Sequence, residues 1–219
     1  GRNYESAMQR IIDKVKASGG RMVVGAPGAV DTRFFGGCGP SVYNETLAQL
    51  AKIARKLAGE NGTAFADVHG ELMTAMTAAK AKLGEGYAIC GRDGVHPDAS
   101  GHVVMAYAFL KNMGLDGLIG SITLDMDGPA QASDGHAVVV SAPGSAEIES
   151  SRYPFCFFGG DANSGATQSI LPFVPFNQDL NRLMLVVRNL KSEKARVAWG
   201  AASKRSEERR VGKECRSRW

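Results

Sequence analysis

Apolar residues recur at helical spacing in four segments of the first 118 residues. These segments span residues 4–17, residues 41–58, about residues 71–83 and about residues 99–113. Such a period predicts amphipathic helices, each with one face turned towards a core. The residues expected on the inward faces of the second and fourth helices are Val42, Leu47, Leu50, Ile53, Ala54 and Leu57, and Val103, Ala106, Tyr107, Leu110 and Met113.

Two short apolar runs, residues 21–25 and 63–68, lie between these helical segments. Because a helical pattern separates them, they are predicted to be buried parallel strands. The alternation of strands and helices favours an α/β fold with part of a doubly wound layer over residues 1–118. Ligands of such folds bind at the carboxyl ends of the strands.

The loop formed by residues 27–40 leaves the first strand at that edge of the sheet. Four of its residues are therefore expected near a substrate, namely Asp31, Arg33, Phe34 and Phe35. The alternative for these residues is a surface loop that is packed by its own aromatic rings.

From about Leu118 the pattern changes to short β-like runs at residues 121–126, 137–140, 146–149, 183–187 and 195–199. Gly, Pro, Asn, Asp and Ser clusters separate these runs. Residues 119–204 are therefore predicted to form a small antiparallel β module. Aromatic residues are concentrated in residues 151–158 and 173–176. These rings could form a carbohydrate or lipid platform, or they could fill a core.

Residues 205–219 have neither a helical nor a strand period, and they closely resemble the conceptual translation of a common sequencing-library adapter. We expect this tail to be artefactual or disordered, the alternative being a solvated basic arm. Without the tail the net charge falls from +4 to +1. The remaining charge carries no signature of nucleic-acid binding, and no apolar run is long enough to span a membrane.

Three cysteines precede the tail, at irregular spacing: Cys38, Cys90 and Cys156. This spacing supports neither a disulfide framework nor a zinc site. Small buried or half-buried thiols are expected instead.

The most informative motif of the chain is the segment Asp93-Gly-Val-His96-Pro97, which immediately precedes the last predicted helix. An Asp three residues before a His can turn its carboxylate onto imidazole Nδ1–H. Such a contact fixes the tautomer and leaves Nε2 free to accept a proton from a nucleophile. Pro97 disfavours a helical conformation at His96, so the imidazole is expected on a turn. The motif predicts the general-base part of a hydrolase.

Residues 93–102, with the helix that follows, resemble the last conserved block of the SGNH (GDSL-type) hydrolases, a family of serine esterases and lipases. The resemblance extends over roughly residues 1–118. It implies a flavodoxin-like α/β/α sandwich, catalytic roles for Asp93 and His96, no cofactor, and a small-molecule or carbohydrate ester as substrate. It also makes an extracytoplasmic location an expectation, while the oligomeric state and the ester stay open.

The upstream signatures of that family, GDS and GxND, are not found in this sequence, and neither is GxSxG. We therefore expect a C-terminal fragment whose nucleophile and oxyanion donors lie outside it. The segment Gly160-Asp-Ala-Asn-Ser164 has alanine where GDS has serine, and it is predicted to be a loop.

Three other hypotheses stay open. His69 and His102 could join Asp93 and His96 in a metal-dependent hydrolase, although their spacing fits no standard zinc signature and no metal site is predicted. Cys38 could be an alternative nucleophile for His96. The chain could also be a non-catalytic protein whose β module binds a glycan on an α/β scaffold.

Overall fold

The structure is a computed structural model that describes residues 1–37, 39–160, 163–192, 195–200, 202–205, 210–211 and 214–218. The chain divides into two compact units. The first comprises Gly1–Asp116 and Cys156–Phe176, and the second comprises Gly117–Phe155 and Asn177–Trp219. Within the described ranges, no helix combines the length and the apolar character that crossing a membrane requires.

The first unit has the α/β architecture that the sequence predicts. Its elements are α1 (Arg2–Ala17), β1 (Val23–Gly25), α2 (Pro40–Asn61), β2 (Ala64–Ala66), α3 (Val68–Leu83) and α4 (Ala99–Asn112). Strands β1 and β2 pair in parallel, with Val24 opposite Phe65. The connection through α2 is the crossover that a parallel pair needs.

Helices cover both faces of this two-stranded sheet. On one face, buried side chains of α1, α2 and β1 form a cluster that includes Ile12, Leu57 and Val24. On the other face, α4 approaches β1 so closely that a Cβ atom at Gly25 would lie 2.6 Å from Cζ of Phe109. Glycine at this position therefore permits the contact between helix and strand.

The predicted inward faces of the helices are wrong at several positions. Val42 is 62% exposed because it lies in the first turn of α2, and Met113 is exposed just beyond the end of α4. In α4 the buried face includes Val104, while Ala106 is exposed. The buried residues Val103, Val104, Tyr107 and Ala108 place the centre of this face about one position away from the predicted one.

Residues 156–176, which the sequence places in the β module, return to the α/β unit. They include a 3₁₀ helix, Thr167–Phe173, whose Ile170 is fully buried. Phe176 is also buried, and its ring lies 6.3 Å from that of Tyr107 and 5.3 Å, edge-on, from that of Phe157. These aromatic residues therefore fill the core of the first unit.

The second unit consists mainly of short strands, and five of them follow the predicted runs. These are β3 (Leu118–Asp125), β5 (His136–Ala142), β6 (Ser145–Ser150), β7 (Arg182–Arg188) and β8 (Arg196–Trp199). Two further strands are β4 (Gln131–Ala132) and β9 (Ala202–Arg205). The short helix α5 (Phe176–Leu180) precedes β7, and all its residues except Phe176 belong to this unit. β5 pairs with β6, β8 with β9, and β3 with β4, all antiparallel. β3 and β7 pair in parallel, because the long chain between them allows a crossover.

Two segments of the tail are strands, whereas the sequence predicts an artefactual or disordered extension. β10 (Arg210–Val211) pairs with β11 (Glu214–Arg218), which lies antiparallel to β7. An edge strand offers a row of free backbone N–H and C=O groups, and an extended chain of almost any sequence can pair with them. The contact therefore rests on the backbone and needs no periodic pattern in the tail.

Candidate active site

The Asp93–His96 hydrogen bond that the spacing predicts is present in the structure. Oδ2 of Asp93 lies 2.6 Å from Nδ1 of His96. The imidazole is 86% exposed, and no described group lies within hydrogen-bond distance of its Nε2. The pair can therefore hold a neutral imidazole with its proton on Nδ1 and present Nε2 as a proton acceptor to solvent.

The same carboxylate also holds the turn together. Oδ1 of Asp93 accepts hydrogen bonds from the backbone N–H groups of Val95, at 2.9 Å, and His96, at 3.0 Å. These bonds, led by the backbone donor of His96, hold the pKa of the Asp93 carboxyl well below its usual range. Asp93 is thus a carboxylate across the neutral pH range. Its Oδ1 binds the backbone of the turn, and its Oδ2 binds the imidazole.

Two glycines with positive φ allow the turn to fold this tightly. Gly91 has φ +74° and lies against the carbonyl group of His96, where a Cβ would come within 2.1 Å of the oxygen. Gly94 has φ +77°, and a Cβ there would lie 2.4 Å from the backbone nitrogen of Phe35. Side chains at either position would push the turn away from its neighbours.

The beginning of α4 fixes the chain on the other side of His96. Asp98 is the N-cap residue of α4, and its Oδ2 accepts a 2.6 Å hydrogen bond from Oγ of Ser164. The backbone N–H of Ser100 donates to the carbonyl oxygen of Ser164 at 3.0 Å. Sequence reasoning missed this role of Ser164, which lies in the predicted loop 160–164; Asp161 and Ala162 of that loop lie outside the described residues.

The loop between β1 and α2 contacts the turn, but Asp31 is not exposed to a substrate. Asp31 is 1% exposed, and its Oδ1 accepts a 2.6 Å hydrogen bond from Nζ of Lys80 in α3. A buried carboxylate needs a charged partner, and Lys80 supplies it, so the side chain of Asp31 is not open to a ligand. That Asp31 lies near a substrate stays a prediction. Its backbone N–H donates to the carbonyl oxygen of Gly94 at 2.8 Å, so the loop is joined directly to the Asp93–His96 turn.

The other three loop residues lie nearer the surface. Arg33 is exposed, whereas Phe34 and Phe35 are half-buried. The ring of Phe34 has Nζ of Lys80 at 5.5 Å and Cζ of Arg92 at 5.9 Å from its centroid. Phe35 packs on Tyr43, with 5.0 Å between the ring centroids. The aromatic rings thus pack the loop, as the alternative interpretation anticipated, and a substrate contact for Arg33, Phe34 and Phe35 stays a prediction.

A buried amide fixes the position of this loop. Asn44 of α2 accepts a hydrogen bond from the backbone N–H of Val30 at 2.9 Å and donates one to the carbonyl oxygen of Val30 at 2.8 Å. Asn44 and Val30 are both buried. The sequence gives no signal for this contact, because the two residues are not joined by any helical or strand period.

The structure does not support the hypothesis of a metal-dependent hydrolase. His69 is buried at the beginning of α3 and His102 is exposed on α4. Among the described residues, no three His, Cys, Asp or Glu side chains are arranged as metal ligands. His69, Asp93, His96 and His102 are all described, so they do not form the proposed cluster.

The cysteines differ from one another in their surroundings. Cys90 is buried and donates from Sγ to the carbonyl oxygen of Ala29 at 3.4 Å. Burial, together with the nearby Asp31 carboxylate, raises the pKa of the Cys90 thiol to about 12, so it is a neutral donor and not a nucleophile. Cys156 is exposed, in contrast to the prediction of buried or half-buried thiols. Cys38, the alternative nucleophile, lies outside the described residues.

The second unit contains a groove of about 1060 Å³. Its walls come from the β5–β6 hairpin, residues 151–154, Leu183 of β7 and Trp199 of β8. Tyr153 is 70% exposed and Trp199 is 43% exposed, and both line the groove. Glu149 and Arg152 also line it and supply charged groups beside the aromatic rings.

No protein-family profile matches this chain, and no curated protein matches it. Among solved structures, the chain is similar to that of a gut microbial diltiazem-metabolizing enzyme, with a TM-score of 0.63 and 21% sequence identity. The match covers 89% of this chain and 47% of that enzyme's chain, so the present chain spans about half the length of the structure that it matches. At this identity the likeness shows the fold: the chain has an α/β fold shared with half of that enzyme.

Proposed function

We propose that the chain belongs to a serine ester hydrolase of the SGNH (GDSL) type, in which it supplies the acid–base part of the active site. The observation that carries the proposal is the 2.6 Å contact from Asp93 Oδ2 to His96 Nδ1, with Nε2 turned to solvent. In the chain the pair follows the segment β1–α2–β2–α3, and its turn is hydrogen-bonded to the loop after β1. That loop leaves the carboxyl end of a strand, where α/β folds bind their ligands.

In this proposal a serine outside residues 1–219 attacks the carbonyl carbon of the ester. Nε2 of His96 takes the hydroxyl proton as the C–O bond forms, and the imidazolium returns that proton to the alcohol as the ester C–O bond breaks. Water then cleaves the acyl-enzyme by the same proton transfers in reverse order. Asp93 keeps the proton on Nδ1 and stabilises the imidazolium.

The solved structure that shares the fold adds support to an ester as substrate. That enzyme metabolises diltiazem, and diltiazem contains an ester group. A small-molecule or carbohydrate ester is therefore the substrate class that we propose for the protein to which this chain belongs.

The test compares variants of the protein expressed from its full coding sequence, with p-nitrophenyl acetate and butyrate as substrates. We expect His96→Ala to lower kcat by about 10⁴ or more, the scale seen when serine hydrolases lose a triad member. Asp93→Asn should have a similar effect, because Oδ1 of asparagine can still accept the backbone bonds while its amide donor faces Nδ1. Unchanged turnover in both variants would refute the proposal.

His102→Ala is the matched control, since His102 is an exposed histidine six residues further along and outside the pair. Its turnover should equal that of the parent protein. A serine-directed fluorophosphonate label, mapped by peptide mass spectrometry, locates the nucleophile independently. Labelling of a serine within residues 1–219 would contradict the proposed position of the nucleophile, and residues 1–219 alone should hydrolyse neither ester above background.

A second candidate function, glycan binding by the β module, is favoured by the groove that Tyr153 and Trp199 line. Exposed aromatic rings can stack on the apolar face of a sugar ring, and Glu149 and Arg152 can bond its hydroxyl groups. Titration with soluble oligosaccharides by calorimetry tests this function. Tyr153→Ala should abolish binding, whereas Phe158→Ala, an exposed aromatic of the other unit, should not.

A further inference from the structure

The ion pair between Asp31 and Lys80 is buried in the first unit. Asp31 is 1% exposed, Lys80 is 10% exposed, and Oδ1 and Nζ lie 2.6 Å apart. Removing each of two such charges from water is unfavourable, and their mutual attraction offsets this loss of hydration only when their geometry is good. An unpaired charge here would be strongly destabilising, so the two side chains hold each other in place.

The backbone of Asp31 contacts the Asp93–His96 turn directly. Its N–H donates to the carbonyl oxygen of Gly94 at 2.8 Å, and its own carbonyl oxygen accepts from the N–H of Phe35 at 2.8 Å. The two segments are in such close contact that a Cβ at Gly94 would lie 2.7 Å from the Asp31 carbonyl oxygen. A displacement of Asp31 therefore displaces the turn between Asp93 and His96.

The side chain of Asp31 also fixes its own loop. Oδ1 accepts from the backbone N–H of Arg33 at 3.0 Å in addition to Nζ of Lys80. Lys80 lies near the end of α3, which spans Val68–Leu83 and packs against α4. The ion pair thus connects a helix of the α/β unit, through Asp31, to the turn that carries His96.

We propose that Lys80 and Asp31 are positioning residues of the candidate active site. The buried pair fixes the position of the loop after β1 relative to α3. The Asp31–Gly94 hydrogen bond in turn fixes the position of the Asp93–His96 turn relative to that loop. The role of the pair in turnover rests on the proposed ester hydrolysis. Its effect on the geometry of His96 does not.

The first measurement is the tautomer of His96 in the ¹⁵N-labelled chain, read from two-bond ¹H–¹⁵N spectra recorded at alkaline pH. The proton should be mainly on Nδ1 in the parent chain. Lys80→Met should shift it towards Nε2 and should accelerate amide exchange at Asp31. Lys56→Met, the same substitution in an exposed ion pair with Glu5, should leave both unchanged.

The second measurement is turnover by the full-length protein. We expect Lys80→Met to lower kcat by about 10²-fold with little change in KM, as a misplaced acid–base group does. Circular dichroism verifies folding, and Asp31→Asn, which preserves the side-chain volume, provides the same test if Lys80→Met does not fold. A folded variant that keeps the parent tautomer, Asp31 exchange rate and kcat overturns the inference.

The two measurements separate this inference from the proposed function. If His96→Ala leaves ester hydrolysis unchanged, the proposed function fails, while the tautomer and exchange data still decide whether the ion pair positions His96. If Lys80→Met leaves the tautomer and the exchange rate unchanged while His96→Ala lowers ester hydrolysis, the positioning role fails and the proposed function stands.

Discussion

Replacing Asn44 by alanine should destabilise the first unit, because it leaves two buried backbone groups of Val30 without hydrogen-bond partners. Asn44 bonds both the N–H and the carbonyl oxygen of Val30, at 2.9 and 2.8 Å, and both residues are buried. Each group left without a partner costs about 1–3 kcal/mol, while the higher helix propensity of alanine returns about 0.5 kcal/mol. We expect a net loss of about 3 kcal/mol in the free energy of unfolding.

Urea denaturation followed by circular dichroism at 222 nm measures this loss, because the long helices α1–α4 all belong to the first unit. With a slope of about 2 kcal/mol per molar urea, the midpoint should fall by about 1.5 M. Tryptophan fluorescence reports the second unit through Trp199, which belongs to it. A variant in which only the fluorescence transition moves would contradict the assignment.

Thr46→Ala is the matched control in the same helix. The Thr46 hydroxyl is exposed and donates to the carbonyl oxygen of Val42 at 2.9 Å, so its loss leaves no buried group unpaired. Its free energy of unfolding should stay within about 0.5 kcal/mol of the parent value. If Asn44→Ala costs less than about 1 kcal/mol, the two hydrogen bonds do not hold the loop as described.

Three further predictions concern the turn and its surroundings. Hydrogen bonds lower the pKa of the Asp93 carboxyl in the folded chain, so their stabilisation is present above the unfolded pKa of about 4 and is lost as the pH falls through the lower folded pKa. The amide chemical shifts of Val95 and His96 should therefore stay constant down to about pH 4, and a titration midpoint at that pH would contradict the lowered pKa. Gly94→Ala should lower the free energy of unfolding by more than about 2 kcal/mol, since φ is +77° and the new Cβ would overlap the Phe35 nitrogen. Urea denaturation that shows almost no change in this free energy would disprove the close packing. Cys90, whose pKa burial raises to about 12, should react with iodoacetamide far more slowly than exposed Cys156 in native peptide mapping, and equal rates would disagree with its burial.

Local patterns predicted the helices and strands of the chain well. The apolar period located α1 to α4, and the short β-like runs located β3, β5, β6, β7 and β8. The Asp93–His96 contact was also accessible, because it lies within four residues and depends on local turn geometry. Patterns of this kind are contained in a short stretch of sequence, and no distant partner is needed to interpret them.

Contacts between distant residues could not be found in this way. The partner of Asp31 is 49 residues away, and no spacing rule connects a loop carboxylate with one lysine near the end of a helix. Residues 156–176 were placed in the β module because their aromatic and Pro-containing sequence has no period, although burial of Ile170 and Phe176 joins them to the α/β unit. Where packing alone determines position, the sequence pattern contains no signal of it.

The Asp93–His96 contact has a short sequence separation, with only two residues between the partners. Closing so short a loop costs little chain entropy, and the backbone bonds to Asp93 Oδ1 preorganise it further. The effective concentration of carboxylate at the imidazole is therefore set largely by residues 93–96, while the loop after β1 determines where this turn lies. A recombination event that moves this segment transfers carboxylate and imidazole together, and the new surroundings must then supply a nucleophile and a contact that holds the turn in place.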